Sequence, residues 1–89
     1  MAVLLVTYDL NKKGQDYSGV LEEIKKTSWA RLSESSYAIK TAEKLQDVYD
    51  RISKYLDKND QIYIINMTKP HTGFGPDEVN KWLNENLPF

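Results

Sequence analysis

Eighty-nine residues, 40% of them apolar and 28% charged, specify one soluble globular domain with a single core. The absence of cysteine excludes disulfides, thiolate nucleophiles and thiolate metal sites, and the single histidine, His71, excludes a histidine metal cluster within one chain. Twelve Lys and Arg against thirteen Asp and Glu leave a net charge of −1, which argues against a surface that holds nucleic acid mainly by neutralising phosphates and leaves only local patches, such as Lys12 and Lys13 beside Asp9, or Arg31.

The chain opens on the unbroken apolar run Met1-Ala2-Val3-Leu4-Leu5-Val6-Thr7-Tyr8, which stops at Asp9. It falls far short of the roughly 20 apolar residues of a membrane helix and lacks a basic leader region, so it reads as a strand buried on both faces. No other segment reaches that length, and the expected setting is the cytoplasm with no membrane partner. Leu10 to Asp16, with Asn11 and Gly14, is a loop. Tyr17, Val20, Leu21 and Ile24 then fall at i, i+3, i+4 and i+7, with Asp16 as N-cap and Glu22, Glu23, Lys25 and Lys26 on the outer side.

Trp29 to Leu32 and Ser36 to Ile39 are two short strands around the polar interval Ser33-Glu34-Ser35. Thr41 is the expected N-cap of a second helix, with Glu43 in its first turn and Leu45, Val48, Tyr49, Ile52 and Leu56 as its stripe, up to the turn Asp57-Lys58-Asn59-Asp60. Gln61 to Met67 is rich in β-branched and aromatic residues and is expected to form the fourth strand, the second well-buried one. After a loop from Thr68 to Gly75, Pro76 suits the first turn of a last helix with Val79, Trp82 and Leu83 on its apolar side. The order is β-α-β-β-α-β over residues 1–67, followed by a loop and helix over 68–89. It predicts one α+β, ferredoxin-like domain with a four-stranded antiparallel sheet and an added C-terminal helix. Its second sheet face needs cover, from the last helix or from a second copy of the chain.

Asp9 is the leading candidate for chemistry. A carboxylate at the end of a central strand can bind a hard cation such as magnesium, form an Asx-turn, or cap the loop with Asn11. If the first strand lies near a two-fold axis, two copies of Asp9 would share one ion. Arg31 offers a planar fork of donors to phosphate, or pairs with Glu34 across the turn. Ser33, Ser35 and Ser36 satisfy local backbone groups or contact phosphate, and with His71 they make a poor nucleophile-and-base set, since no oxyanion site accompanies them. His71 is a lid residue, a general acid or simply solvated. Gly73-Phe74-Gly75-Pro76 lacks the lysine of a phosphate-cradling loop. Tyr8, Trp29 and Tyr37 either stack bases or belong to the core.

A first strand ending Tyr8-Asp9, the stretch Trp29-Ala30-Arg31-Leu32-Ser33-Glu34-Ser35-Ser36-Tyr37 and a strand opened by Asp60 resemble the small ferredoxin-like endoribonucleases of CRISPR adaptation. Their relatives include virulence-associated protein D and the SinR-like bacterial and phage proteins, to which the Arg-Leu-Ser-Glu-Ser-Ser-Tyr stretch is most similar. The resemblance covers residues 1–67. In the family's middle motif, Arg-Val-Gln-any-Ser-Val-Phe-Glu, Arg31, Ser35 and Tyr37 match, while Ser33 stands for the glutamine and Ala38 for the glutamate. The family's tail adds a strand to a partner subunit, whereas here Asp77 to Leu87 form a helix. The resemblance implies a homodimer that cleaves RNA or DNA phosphodiesters with magnesium at Asp9, the substrate being held by Arg31, Ser33 and Ser35. The rival reading is a non-catalytic dimeric module of a defence or toxin–antitoxin system, and a third is a small-molecule sensor using the Thr68 to Gly75 loop.

Overall fold

The computed structural model describes residues 1–11, 14 and 16–89. They form β1 (Ala2–Asp9), α1 (Ser18–Ile24), β2 (Ser28–Ser33), β3 (Ser36–Thr41), α2 (Leu45–Ser53), β4 (Gln61–Met67) and α3 (Asp77–Asn86). The strands make one sheet in the order β2-β3-β1-β4, with every neighbouring pair antiparallel. This is the ferredoxin-like arrangement with a C-terminal helix added.

Alternation along β1 divides its side chains between two layers. Leu4 and Val6 join Tyr37 and Ile39 of β3, Val20 and Ile24 of α1, and Val48 and Ile52 of α2 in the main core, all essentially shielded from water. Each such aliphatic side chain contributes about 1.5–3 kcal/mol of hydrophobic free energy, so this layer carries most of the stability. On the other face Val3 and Ala38 pack with Leu83 and Leu87, flanked by half-buried Leu32, Met67, Val79 and Trp82. The Trp82 Nε1–H donates to Ser28 Oγ at 3.0 Å, which pins α3 to the edge strand β2. The last helix thus supplies part of the cover that the second face requires.

Several local expectations shift. In α2 only Val48 and Ile52 of the predicted stripe are fully buried, while Leu45 and Tyr49 are exposed. β4, expected to be well buried, is an edge strand with no fully buried residue, because one of its faces has no covering helix. The buried side of α1 is Gly19, Val20, Glu23 and Ile24, rotated from the predicted stripe, and Leu21 is exposed. Glu23 is therefore interior, at 6% exposure, because Lys26 Nζ lies 2.8 Å from one of its carboxylate oxygens and Arg51 Nη1 lies 3.4 Å from the other. Gly19 belongs to this side because a Cβ there would overlap the Tyr55 ring. Thr41 stays in β3, paired with Ala2, and α2 starts at Leu45. Its hydroxyl still accepts the Glu43 N–H at 3.1 Å, so the capping bond forms ahead of the helix rather than on it. Asp16 likewise accepts the Ser18 N–H at 2.9 Å from one residue outside the N-cap position, Tyr17.

Candidate functional site

The register places the predicted residues at one end of the sheet. Thr7 pairs with Ser36 and Asp9 with Gln61, while the Tyr8 N–H donates to the Ser35 carbonyl at 3.0 Å. The end of β1, the β2–β3 hairpin and the start of β4 therefore share one rim. Thr7, Tyr8, Asp9, Gln61 and Tyr63 line a shallow depression of about 140 Å³ there.

Asp9 is exposed and, among the described residues, no hydrogen bond or ion pair reaches its carboxylate. The local capping alternatives are taken up by other groups. Asn11 Nδ2 donates to the Asp9 carbonyl at 3.4 Å and to the Asn59 carbonyl at 3.0 Å, and the Asn11 N–H donates to Asp60 Oδ1 at 2.7 Å. Asp60 also accepts the Tyr17 hydroxyl at 2.7 Å and, through Oδ2, the Asp57 N–H at 2.7 Å. The structural carboxylate of this rim is thus Asp60, and that of Asp9 is left facing water. Lys12 and Lys13, expected beside Asp9, lie outside the described residues.

Arg31 does not pair with the Glu34 carboxylate. Its Nε donates to the Ser33 carbonyl at 3.2 Å and its Nη2 to the Glu34 carbonyl at 3.4 Å, so the fork closes the hairpin on itself. The pairing register of β2 with β3 shifts between Arg31 and Ser33, next to the turn carbonyls that the guanidinium meets. Ser33 is exposed and Ser35 half-buried, whereas Ser36 Oγ lies 3.0 Å from Thr7 Oγ1. Burial raises the pKa of the Tyr8 hydroxyl, with Tyr37 acting in the same direction, so it stays a donor toward the Glu34 carbonyl, 3.5 Å away.

Of the aromatic candidates, Tyr37 is core and Tyr8 is half-buried, while Trp29 is 41% exposed with its ring centroid 5.7 Å from that of Tyr37. Lys25 Nζ sits 4.7 Å above the Trp29 ring. His71 is exposed and lines a separate depression with Leu32, Val79 and Asn80, so it is not part of the rim around Asp9.

Arg51 is the residue that sequence reasoning missed. It makes a two-pronged pairing with Glu43, Nη2 to Oε1 at 2.9 Å and Nε to Oε2 at 3.0 Å, and donates to the Glu23 carbonyl. The hydrogen bond from Lys26 holds the Glu23 carboxyl below the usual range against the opposing effect of burial, and the bond from Arg51 does the same for Glu43. Arg51 is raised in turn, chiefly by Glu43. This network ties α1, the end of β3 and α2 together, away from the rim. The helical spacing of Gly19, Val20, Glu23 and Ile24 was a signal for the buried face of α1, and no local repeat pointed to Arg51.

No group of three or more His, Cys, Asp or Glu side chains able to hold a metal occurs among the described residues, and no helix among them is long and apolar enough to cross a membrane. No protein-family model, curated protein or solved structure matches the chain.

Proposed function

We propose that this chain works as a homodimer that hydrolyses RNA or DNA phosphodiesters, with Asp9 as the magnesium ligand and Arg31, Ser33 and Ser35 as the groups nearest the substrate backbone. The observation that carries the reading is the exposed Asp9 carboxylate, without a partner among the described residues, at the end of the central strand. Beside it the sheet face stays uncovered, with Tyr63 at 64% and Ile65 at 52% exposure. A second copy seated on Leu5, Tyr63 and Ile65 would bury apolar surface and bring the partner's Asp9 toward the same seam.

The donor chemistry fits a hard cation, because the depression offers oxygen atoms from Asp9, Gln61 and Thr7 and no nitrogen or sulfur ligand set. With one carboxylate per chain at this depression, the partner copy's Asp9 would make a two-carboxylate set, water and substrate phosphate supplying the remaining ligands. Bound there, magnesium would supply an activated water and charge stabilisation at the leaving oxygen. The chain's own part is to hold Asp9 at a fixed height through the β1–β4 pairing, and to present the Ser33 hydroxyl and the Arg31 edge on a hairpin that the guanidinium itself stiffens. The lack of cysteine supports a reducing, cytoplasmic setting.

The test compares wild type with Asp9→Asn for magnesium-dependent cleavage of single-stranded RNA and duplex DNA. The substitution is expected to lower the rate at least about 100-fold. Equal rates, or no cleavage by either protein, would remove Asp9 from any mechanism. The engagement of the Arg31 fork by hairpin carbonyls supports a second reading, a non-catalytic dimeric interaction module of a defence or toxin–antitoxin system. For that reading, Ile65→Lys is expected to yield monomers by sedimentation while Asp9→Asn changes nothing.

A further inference from the structure

The two outer strands of the sheet differ. β2 carries Arg31 and a shift in its pairing with β3, two devices that blunt an edge. β4 pairs with β1 along its whole length from Gln61 to Met67 without a shift, and it holds neither a charged residue nor a proline. One bond fixes which of its main-chain groups face outward. The Tyr8 N–H turns to Ser35, just ahead of β3, so alternation turns Leu5 and Thr7 toward β4, where Ile65 and Tyr63 answer them. Ile62, Ile64 and Asn66 therefore direct their N–H and C=O groups away from the sheet. A cleft of about 450 Å³, bordered by Tyr49, Ser53 and Leu56 of α2, runs beside Ile62 and Tyr63 and leaves room for a further strand.

We propose that this edge pairs antiparallel with the same strand of a second copy, joining two sheets into one across a two-fold axis at Ile64. The register centred there sets Ile64 against Ile64 and Ile62 against Asn66, so every outward group of the strand finds a partner. A register centred on Tyr63 or Ile65 leaves Asn66 or Ile62 without one inside the strand. The same register sets Tyr63 beside the partner's Ile65, an aromatic against a β-branched side chain. These are the two most exposed large apolar side chains of the sheet. The seam itself holds no charge, and past its ends the Lys69 of each copy comes toward the other's Asp57-Lys58-Asn59-Asp60 turn, which carries two carboxylates and one ammonium. A strand of another protein would not require β4 to match itself in this way. The contact is separate from the one proposed around Asp9. Antiparallel pairing carries the two Asp9 side chains to opposite ends of the seam, and the face bearing Leu5 and Asp9 stays open beside it.

The chain has no cysteine, so introduced thiols report only on contacts between copies. The register makes Tyr63 and the partner's Ile65 a non-hydrogen-bonded pair, about 4.5 Å apart at Cα and within disulfide reach. Mild oxidation of a mixture of Tyr63→Cys and Ile65→Cys should therefore give the mixed dimer. Either variant alone, with its two thiol positions about 7–8 Å apart on the diagonal, should cross-link at least about tenfold more slowly. Asn66→Pro removes an outward N–H at an exposed position and should weaken association at least about tenfold in sedimentation equilibrium, with the far-UV circular dichroism of the fold retained. Asp9→Asn should leave both readouts unchanged, which separates this contact from the Asp9 reading. Equal cross-linking of the three samples, a wild-type monomer at about 1 mM, or unchanged association of Asn66→Pro would overturn the proposal. If Asn66→Pro does not fold, the cross-linking pattern decides alone.

Discussion

On the face that carries α1 and α2, the inward side chains of β1 at Leu4 and Val6 are sealed from water. On the face that carries α3, burial is complete at Val3 and fades through half-buried Leu5 and Thr7 to exposed Asp9. One strand therefore has a finished side and a graded side. The difference separates a face closed by packing from a face left open to water. Where packing is complete a side chain is chosen for volume, and where it fades the same strand can carry polar groups to the surface.

Substitutions can break or sharpen that contrast. Ile52→Ala, on the finished side, should cost about 4 kcal/mol of unfolding free energy in urea titration, because it leaves a cavity between α2 and the sheet. Arg51→Ala should cost about 1–2 kcal/mol by the same measurement, since it removes the two-pronged partner of Glu43 and leaves Glu23 to Lys26 alone. The network also sets an acid limit. Glu23 and Glu43 have folded-state pKa values below their unfolded ones, so the unfolded chain binds more protons, and the stabilisation present at neutral pH is lost as the pH falls below about 4. The urea midpoint of wild type should drop across that range, and Arg51→Met should flatten the Glu43 part of the drop. An unchanged pH profile in that variant would mean that the pairing is not formed in solution.

Gly19→Ala should cost about 1–2 kcal/mol despite the better helix propensity of alanine, since the added Cβ overlaps the Tyr55 ring. Stabilisation by this change would show that Tyr55 has room to move aside. Ile65→Ala, on the graded side, should shift the stability of the isolated chain by less than about 0.5 kcal/mol. A loss as large as that of Ile52→Ala would mean that the exposed part of β4 is covered within the monomer.

The strand and helix order was legible because each element carries its own period, and Gln61 to Met67 was read to the residue. The Asp9 placement was legible for the same reason, since a run of apolar residues ending in a carboxylate puts that group at a strand end. The Arg51 network was not, because it joins residues 8 and 28 positions apart, beyond the reach of any helical or strand repeat. The role of Asp60 was hidden in the same way. As a sequence feature it closes a turn, and only folding brings Asn11 and Tyr17 to it.

Because Asp60 gathers the loop after β1, the residue before α1 and the turn before β4 onto one carboxylate, these segments form a collar around the exposed end of the sheet. A load applied to any one of them is passed to the others through short charge-assisted bonds. Gln61, which pairs with Asp9, follows Asp60 directly in the chain and is thereby tied to Tyr17 at the base of α1.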